Sequence, residues 1–303
     1  MKARVLRSDG LLLVTAAVWG FAFVAQRAGM AHVGPFTFNG VRFTLGALVL
    51  VPVILLRRRG RDRRPATQPL SLAGVLAAGA VLFLGSSLQQ IGLVYTTAGK
   101  AGFITGLYVL LVPILGLFVR HRPAWGTWAG AALAVPGLYF LSVTDALRLA
   151  PGDGWVALGA AFWALHVLII ARLSPGRDPY RLASAQFAVT GALSLVVAFL
   201  VEAPAADGLR NAALPILYGG VMSVGVAFTL QVVAQREAPP AHAAVLMSLE
   251  TVFAALGGAW LLGETLGSRG LFGCGLLLAG MLLSQVTRRP RSALGLSTRG
   301  GPG

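Results

Sequence analysis

Apolar residues run along this chain in ten long stretches separated by short polar breaks, at about 10–29, 35–56, 71–95, 98–119, 124–143, 153–172, 180–201, 213–235, 239–262 and 268–286. Each is close to the roughly 20 residues that a helix needs to cross about 30 Å of hydrocarbon. The pattern predicts an all-α polytopic membrane protein with ten transmembrane helices. The longest connections, 57–70, 144–152 and 202–212, leave no room for a soluble domain. Whatever the protein does, it does within the bilayer. The first stretch follows basic residues, as in a secretory signal, but it is too long and lacks a convincing cleavage site, so it reads as an uncleaved first span.

The polar positions inside these stretches repeat. Residues 15–44 match 159–188 without a gap, placing Trp19 on Trp163, Pro35 on Pro179 and Phe43 on Phe187. Further along, Leu88 and Gln89 fall on Leu230 and Gln231, and Ala101 on Ala243, the offset having drifted from 144 to 142. The chain is therefore read as two inverted five-helix repeats, 9–143 and 153–286, between a cytoplasmic N-terminus, 1–8, and a disordered tail, 287–303. An odd number of crossings forces the second copy into the bilayer upside down, an arrangement typical of secondary transporters with their substrate site where the repeats meet.

Composition agrees with this reading: 56% of residues are apolar and 12% charged, against roughly a quarter charged in soluble domains. A net charge of +15 raises nucleic acid as a partner until the charges are placed along the chain. With the N-terminus in the cytoplasm, that side carries 19 Arg or Lys, the other side five, and Arg42 lies within a span. This positive-inside bias puts both termini in the cytoplasm. The basic run 57–64 then reads as a topology signal that also meets anionic lipid, with no nucleic-acid partner. Cys274 is the single cysteine, which excludes an internal disulfide and a thiolate metal cluster.

An ionisable group inside a span costs about 2.5–3.5 kcal/mol on insertion scales and asks for a reason. Glu250, equated by the repeat with Tyr108, is the acid at mid-membrane depth. It reads either as an amine-binding or proton-carrying carboxylate facing a central cavity, or as a hydrogen-bonded carboxyl tying helices together. Arg42 and Lys100, toward the outer side, are candidates to attract a carboxylate; their repeat partners are Gln186 and His242. Snorkelling to the interface is the competing account for Lys100, whereas Arg42 lies deeper and needs a partner. His166, one turn from Trp163, is a candidate ligand or proton relay, or a satisfied packing residue. No pair of histidines has metal-ligand spacing, so neither a metal nor a cofactor is expected.

Polar and aromatic stripes add Thr15 with Trp19, Ser86 with Gln90, Thr105 with Tyr108, and Gln231 with Gln235. Such stripes line a wet cavity or form interhelical hydrogen bonds. Trp19 and Trp163 lie nearer mid-membrane than an interfacial belt would place them, which favours symmetry-related cavity walls. Small-xxx-small spacings at Gly102/Gly106 and Gly126/Gly130 suit close helix packing. Pro113 and Pro136 are candidate hinges for alternating access, or static kinks. With no GxSxG, no phosphate-binding Gly loop and no HExxH, an enzyme is not expected.

The stretches SLETVFAALGGAWLLGETLGSRGLFGCGLLLAGMLLS, 248–284, and AAVWGFAFVAQRAGMAHVGPFTFNGVRFTLGALVLVP, 16–52, resemble the EamA family of the drug/metabolite transporter superfamily, and 96–116 is similar to bacterial members that export aromatic amino acids or methyl viologen. The resemblance covers about 9–286 and implies a ten-helix inverted-repeat carrier, commonly an exporter of amino acids or related metabolites. Two positions depart from the family pattern. Thr251 stands where a proline often follows the glutamate, which puts a hinge there in doubt, and Arg122 replaces the acid that would mirror Glu264. The expectation is a bacterial inner-membrane exporter of amino acids, with a preference for apolar or aromatic side chains. Proton-coupled efflux of drugs or organic cations is the alternative within transport, and an intramembrane enzyme or assembly factor the alternative outside it. The expected partners are a small-molecule substrate and membrane lipid, and the sequence does not set the oligomeric state.

Overall fold

The computed structural model describes residues 2–59, 68–96, 98–119, 123–142, 150–261 and 267–286. Every regular element among them is helical. In the first half these are α1 (Lys2–Gly29), α2 (Pro35–Arg59), α3 (Leu72–Tyr95), α4 (Ala98–Gly106), α5 (Tyr108–Phe118) and α6 (Trp125–Ser142). The second half holds α7 (Pro151–Leu173), α8 (Pro179–Val201), the short α9 (Ala206–Asn211), α10 (Ala213–Leu217), a π-helical stretch Tyr218–Phe228, α11 (Thr229–Ala234), α12 (Pro240–Met247), α13 (Glu250–Leu261) and α14 (Ser268–Val286). Among the described residues, seven helices are long and apolar enough to cross a membrane, with shorter apolar helices at Pro240–Leu256 and Ser268–Ser284. This is a multi-pass membrane protein. The tail and most of the 57–70 and 144–152 loops lie outside the described residues.

Four elements differ from their expected form. Helix α1 extends back to Lys2 through the basic stretch assigned to a separate terminus. The apolar stretches 98–119 and 239–262 are each broken, between α4 and α5 at Leu107 and between α12 and α13 at Ser248–Leu249, positions that the repeat equates. At both breaks the backbone tightens to i→i+3 bonds, Leu110 N to Leu107 O and Thr251 N to Ser248 O. Neither break contains a proline. Pro113 and Pro136 sit inside α5 and α6, and Thr251 does not prevent the interruption beside Glu250. The stretch 213–235 is wound as a π-helix over Tyr218–Phe228, whereas its repeat mate α3 is a regular α-helix.

The halves interleave. Helix α2 packs on α8 and α6 on α14, while α1 packs on the π-helical stretch as α7 packs on α3, so exchanging the two halves maps the packing onto itself. The pairings run antiparallel: a methyl group on Gly40 would strike Leu195, one on Gly191 would strike Thr44, and Ser184 Oγ donates to Ala47 O at 3.1 Å. By contrast α1 runs parallel to α12 and α13, since Asp9 meets His242 and Gly20 meets Glu250 O and Ala254 N. These directions fit a pseudo-two-fold axis relating oppositely oriented halves.

Lipid tails are as apolar as the side chains, so cohesion comes from close backbone approach and interhelical hydrogen bonds. Backbones approach closely along α6 and α14, where a methyl on Gly130 would lie 2.6 Å from Gly280 O and one on Gly273 would lie 2.7 Å from Gly137 O. Gly102 of the other predicted packing pair faces open space instead, while Gly106 abuts Leu138. Thr190 Oγ1 donates across to Gly79 O at 2.9 Å, a contact of a kind that contributes about 0.6 kcal/mol in a membrane.

At the end of the bundle where α1 finishes, Glu202 at the C-terminus of α8 caps the neighbouring helix. Its carboxylate accepts from Phe36 N at 2.8 Å and from Thr37 N and Oγ1, both at 2.7 Å. These are first-turn donors of α2 that no intrahelical carbonyl reaches. Glu202→Ala is expected to cost about 1–2 kcal/mol, seen as a lower unfolding temperature in detergent. An unchanged temperature would mean that water takes over the cap.

Candidate functional site

The interruption before Tyr108 and the one before Glu250 turn these two residues toward a single cavity where the halves meet. Counted together with the open space at its mouth, the cavity takes up about 490 Å³. Its wall is largely built of repeat-related pairs: Trp19 with Trp163, Phe23 with Val167, Gln89 with Gln231, Thr105 with Met247, and Tyr108 with Glu250. A site lined by both members of so many pairs lies on the pseudo-two-fold axis. Ala22, Gln26, Arg42, Ser223 and Phe228 complete the wall without their mates, and Gln26, Arg42 and Ser223 add to its polarity.

Phe228 holds the aromatic side together. Its ring lies 4.5 Å from Trp19 at 59° and 5.7 Å from Trp163 in a stacked arrangement at 21°. The wide π-helical winding carries Phe228 and presents carbonyls to α1: Trp19 Nε1 donates to Ser223 O at 3.3 Å and Thr15 Oγ1 to Ala227 O at 3.1 Å. Such windings are frequent at functional sites. Trp163 Nε1 donates to Gln89 Oε1 at 2.7 Å, and Gln89 Nε2 to Gln26 Oε1 at 3.4 Å.

The charged groups stand apart from this network. Arg42 is buried, its Nε donating to Asn39 Oδ1 at 2.9 Å and its guanidinium lying 5.4 and 5.0 Å from the ring centres of Phe38 and Phe43. Among the described residues no carboxylate pairs with it. Glu250 is also buried, and its Oε1 has no hydrogen-bond partner; nor have Tyr108 Oη, Thr105 Oγ1 or Gln231 Oε1. Buried polar atoms are ordinarily paired, so four unpartnered atoms on one wall mark a place where a polar solute would be satisfied.

The cavity is not centred. Along α1 its wall includes Trp19, Phe23 and Gln26 but nothing nearer the start of that helix. The near end, where α1 begins, is filled by Leu12, Val112, Leu168, Ala238, Ala244 and their neighbours. The repeat-related cluster at the far end is smaller, comprising Phe23, Leu93, Ala101 and Val156, and Gly102, buried like its mate Ala244, has room for a side chain beside it.

Several residues singled out in the sequence lie elsewhere. Ser86 Oγ donates to Phe83 O, and Gln90 Nε2 donates to Gln26 O at 3.4 Å behind the wall. The stripe Ser86/Gln90 is one helical step, about 100°, away from Gln89, which does line the cavity. His166 stands behind the aromatic side, its Nε2 2.9 Å from Gln186 Oε1. His242 lies at the near end, with Nε2 3.1 Å from Asp9 Oδ1 and Nδ1 3.0 Å from Ser284 Oγ. These are the residue types of a hydrolase triad, but Ser284 is fully buried and does not line the cavity described above. Lys100 is in α4 and its side chain lies outside the described residues. Gln26, Gln89 and Phe228 are additions from the structure. The repeat equivalence of Gln89 and Gln231 was a signal for one of them; Gln26 and Phe228 fall opposite Ile170 and Ser86 and had none.

Comparison with known proteins places this arrangement. The chain is 31% identical over 290 residues to an uncharacterized transporter of Archaeoglobus fulgidus, covering 92% of this chain and 86% of that protein. It is 27% identical over 294 residues to the threonine/homoserine exporter RhtA of Escherichia coli, covering 94% and 92%. A probable amino-acid metabolite efflux pump of Salmonella typhimurium is 27% identical over 301 residues, covering 94% and 97%. A solved crystal structure superposes with a TM-score of 0.79 at 20% identity, over 93% of this chain and 97% of the other, a likeness of fold. The profile of the EamA-like transporter family matches twice, at residues 6–143 and 150–285. Two matched segments, folded into halves that exchange under one axis and share one cavity, make this chain a member of the EamA-like transporter family.

Proposed function

We propose that the protein is a secondary transporter of the cell membrane that exports amino acids and related small metabolites, its ten helices forming two inverted five-helix units, 9–143 and 153–286, with both termini in the cytoplasm. The observation that carries this reading is the cavity on the pseudo-two-fold axis, with a buried guanidinium that has no carboxylate partner and a buried carboxyl that has an unpartnered oxygen. A zwitterion answers both. Arg42 meets the carboxylate in a charge-assisted contact, Glu250 and Tyr108 take the ammonium, and the Trp19, Phe228 and Trp163 rings cover the side chain. Positive charges concentrated on one side of the sequence support the orientation, under which the far end, toward which the cavity is displaced, faces outward.

Amino-acid exporters among the relatives supply the substrate class to be tested first. Purified protein in liposomes preloaded with unlabelled L-threonine or L-phenylalanine is expected to accumulate the labelled amino acid by counterflow. Absence of counterflow across a panel of amino acids would overturn the substrate assignment. Glu250 beside three aromatic rings also suits a lipophilic cation released on protonation; efflux of such a cation that follows an imposed pH gradient would favour that reading.

A further inference from the structure

The cavity contains the same pair of groups twice. Trp163 and Gln89 in one place correspond, under the repeat, to Trp19 and Gln231 in the other. The first pair is joined by a 2.7 Å hydrogen bond from Trp163 Nε1 to Gln89 Oε1. The second is not: Trp19 Nε1 donates to Ser223 O at 3.3 Å, and Gln231 Oε1 is buried without a partner. The members of each pair come from helices that pack against one another, α7 on α3 and α1 on the segment that ends in α11. The bond is therefore made in one repeat-related interface and broken in its image.

The asymmetry coincides with that of the cavity. The joined pair belongs to the interface at the far end, toward which the cavity is displaced, and the parted pair to the interface at the more heavily packed near end, where Leu12, Ala234 and Ala244 fill the seam. When two inverted repeats rock about a shared site, each interface takes up the geometry that its mate had before. The geometry points to an exchange of partners: as the near end opens and the far end closes, Trp163 leaves Gln89 and Trp19 bonds Gln231. Gln89 and Gln231 are then positioning residues of the two access states, each lending its carboxamide oxygen to an indole in one of them. Gln26 biases the exchange. Its Oε1 accepts from Gln89 Nε2 at 3.4 Å, while its repeat mate is the fully buried Ile170, which has no amide to offer Gln231. The joined pair is buttressed and its image is not, which favours the far-end-open state.

This inference rests on the alternating-access reading above, and one experiment separates the two. In a Cys274→Ala background, Gly102→Cys reports on the far end and Ala244→Cys on the near end through their rates of reaction with a small maleimide, measured on the purified full-length protein in detergent. Both positions are buried, but a side chain at Gly102 meets nothing within 4 Å whereas Ala244 belongs to the packed near-end cluster, so the far-end thiol is expected to react faster. Gln89→Leu is expected to raise the rate at Ala244→Cys, and Gln231→Leu to lower it, each by roughly two- to tenfold, the factor of one net hydrogen bond. Trp163→Phe should reproduce Gln89→Leu and add nothing to it in the double variant. A purely structural role would loosen both ends together. Shifts of the same sign, or none, in folded variants overturn the exchange. An Ala244 thiol that never reacts in any folded variant overturns alternating access itself, and the exchange with it. Should Ala244→Cys fail to fold, Ala241→Cys reports on the same seam.

Discussion

Glu250→Gln is expected to weaken substrate binding by roughly 10- to 100-fold, the value of a hydrogen bond to a charged group, while leaving the folded protein at least as stable. The two effects separate because the carboxyl has the same shape as the amide yet carries an oxygen that nothing in the protein satisfies. A residue that only tied helices together would lose stability on substitution and leave binding to the surviving protein unchanged. Arg42→Gln is expected to act on the other end of the solute. It removes the guanidinium set against Phe38 and Phe43 and so discriminates against ligands that retain a carboxylate. Initial rates of counterflow, read beside unfolding temperatures in detergent, check both variants. Unchanged transport by both would remove Glu250 and Arg42 from the mechanism and return them to packing roles.

The second large effect concerns the helices that clamp the halves. Gly273→Ala is expected to destabilise the protein by about 1–3 kcal/mol, the usual range for overpacking, although alanine favours a helix over glycine by about 1 kcal/mol. The sign is decided by distance. The added methyl would lie 2.7 Å from both Gly137 O and Leu141 N, and backbone atoms cannot rotate away as a side-chain tip does. Gly275→Ala, two residues along on the same helix, is the control. A methyl there meets nothing within 4 Å, so only the propensity remains and stability should stay level or rise. Unfolding in a mild detergent compares them, and equal effects at the two positions would show that α6 and α14 are not held by backbone contact.

The interrupted helices explain why the site is where it is. A continuous helix through 239–262 would satisfy its own backbone throughout, and irregular backbone at membrane depth is tolerated where protein or a cavity surrounds it. The breaks at Leu107 and at Ser248–Leu249 immediately precede Tyr108 and Glu250, so the paired interruptions and the paired side chains are one feature seen twice.

How much of this was legible beforehand varies residue by residue. Trp19 and Trp163 stand out in the sequence because a ring at mid-membrane depth, repeated at a constant offset, is a one-dimensional signal. Glu250 stands out because a carboxyl in an apolar stretch is costly wherever its helix points. Gln89 was passed over for Gln90 because one residue along a helix turns a side chain by about 100°, and a stripe read without neighbours has no fixed zero. The family membership, carried by long motifs in both halves, did not depend on such rotations.

The sequence by itself determined the helical class, the membrane, the duplication and the depth of each polar residue, since each follows from the order of apolar and polar residues along a line. Only the tertiary structure decided which face of each helix meets the cavity, where two of the helices break, that Phe228 joins the two tryptophans, and that one indole–carboxamide pair is bonded while its image is parted. Those are relations between residues as much as about two hundred and ten positions apart, set by the packing of one half against the other. Two halves with nearly the same pattern can take up different geometries, because a packed interface has discrete states and the pattern does not say which half occupies which.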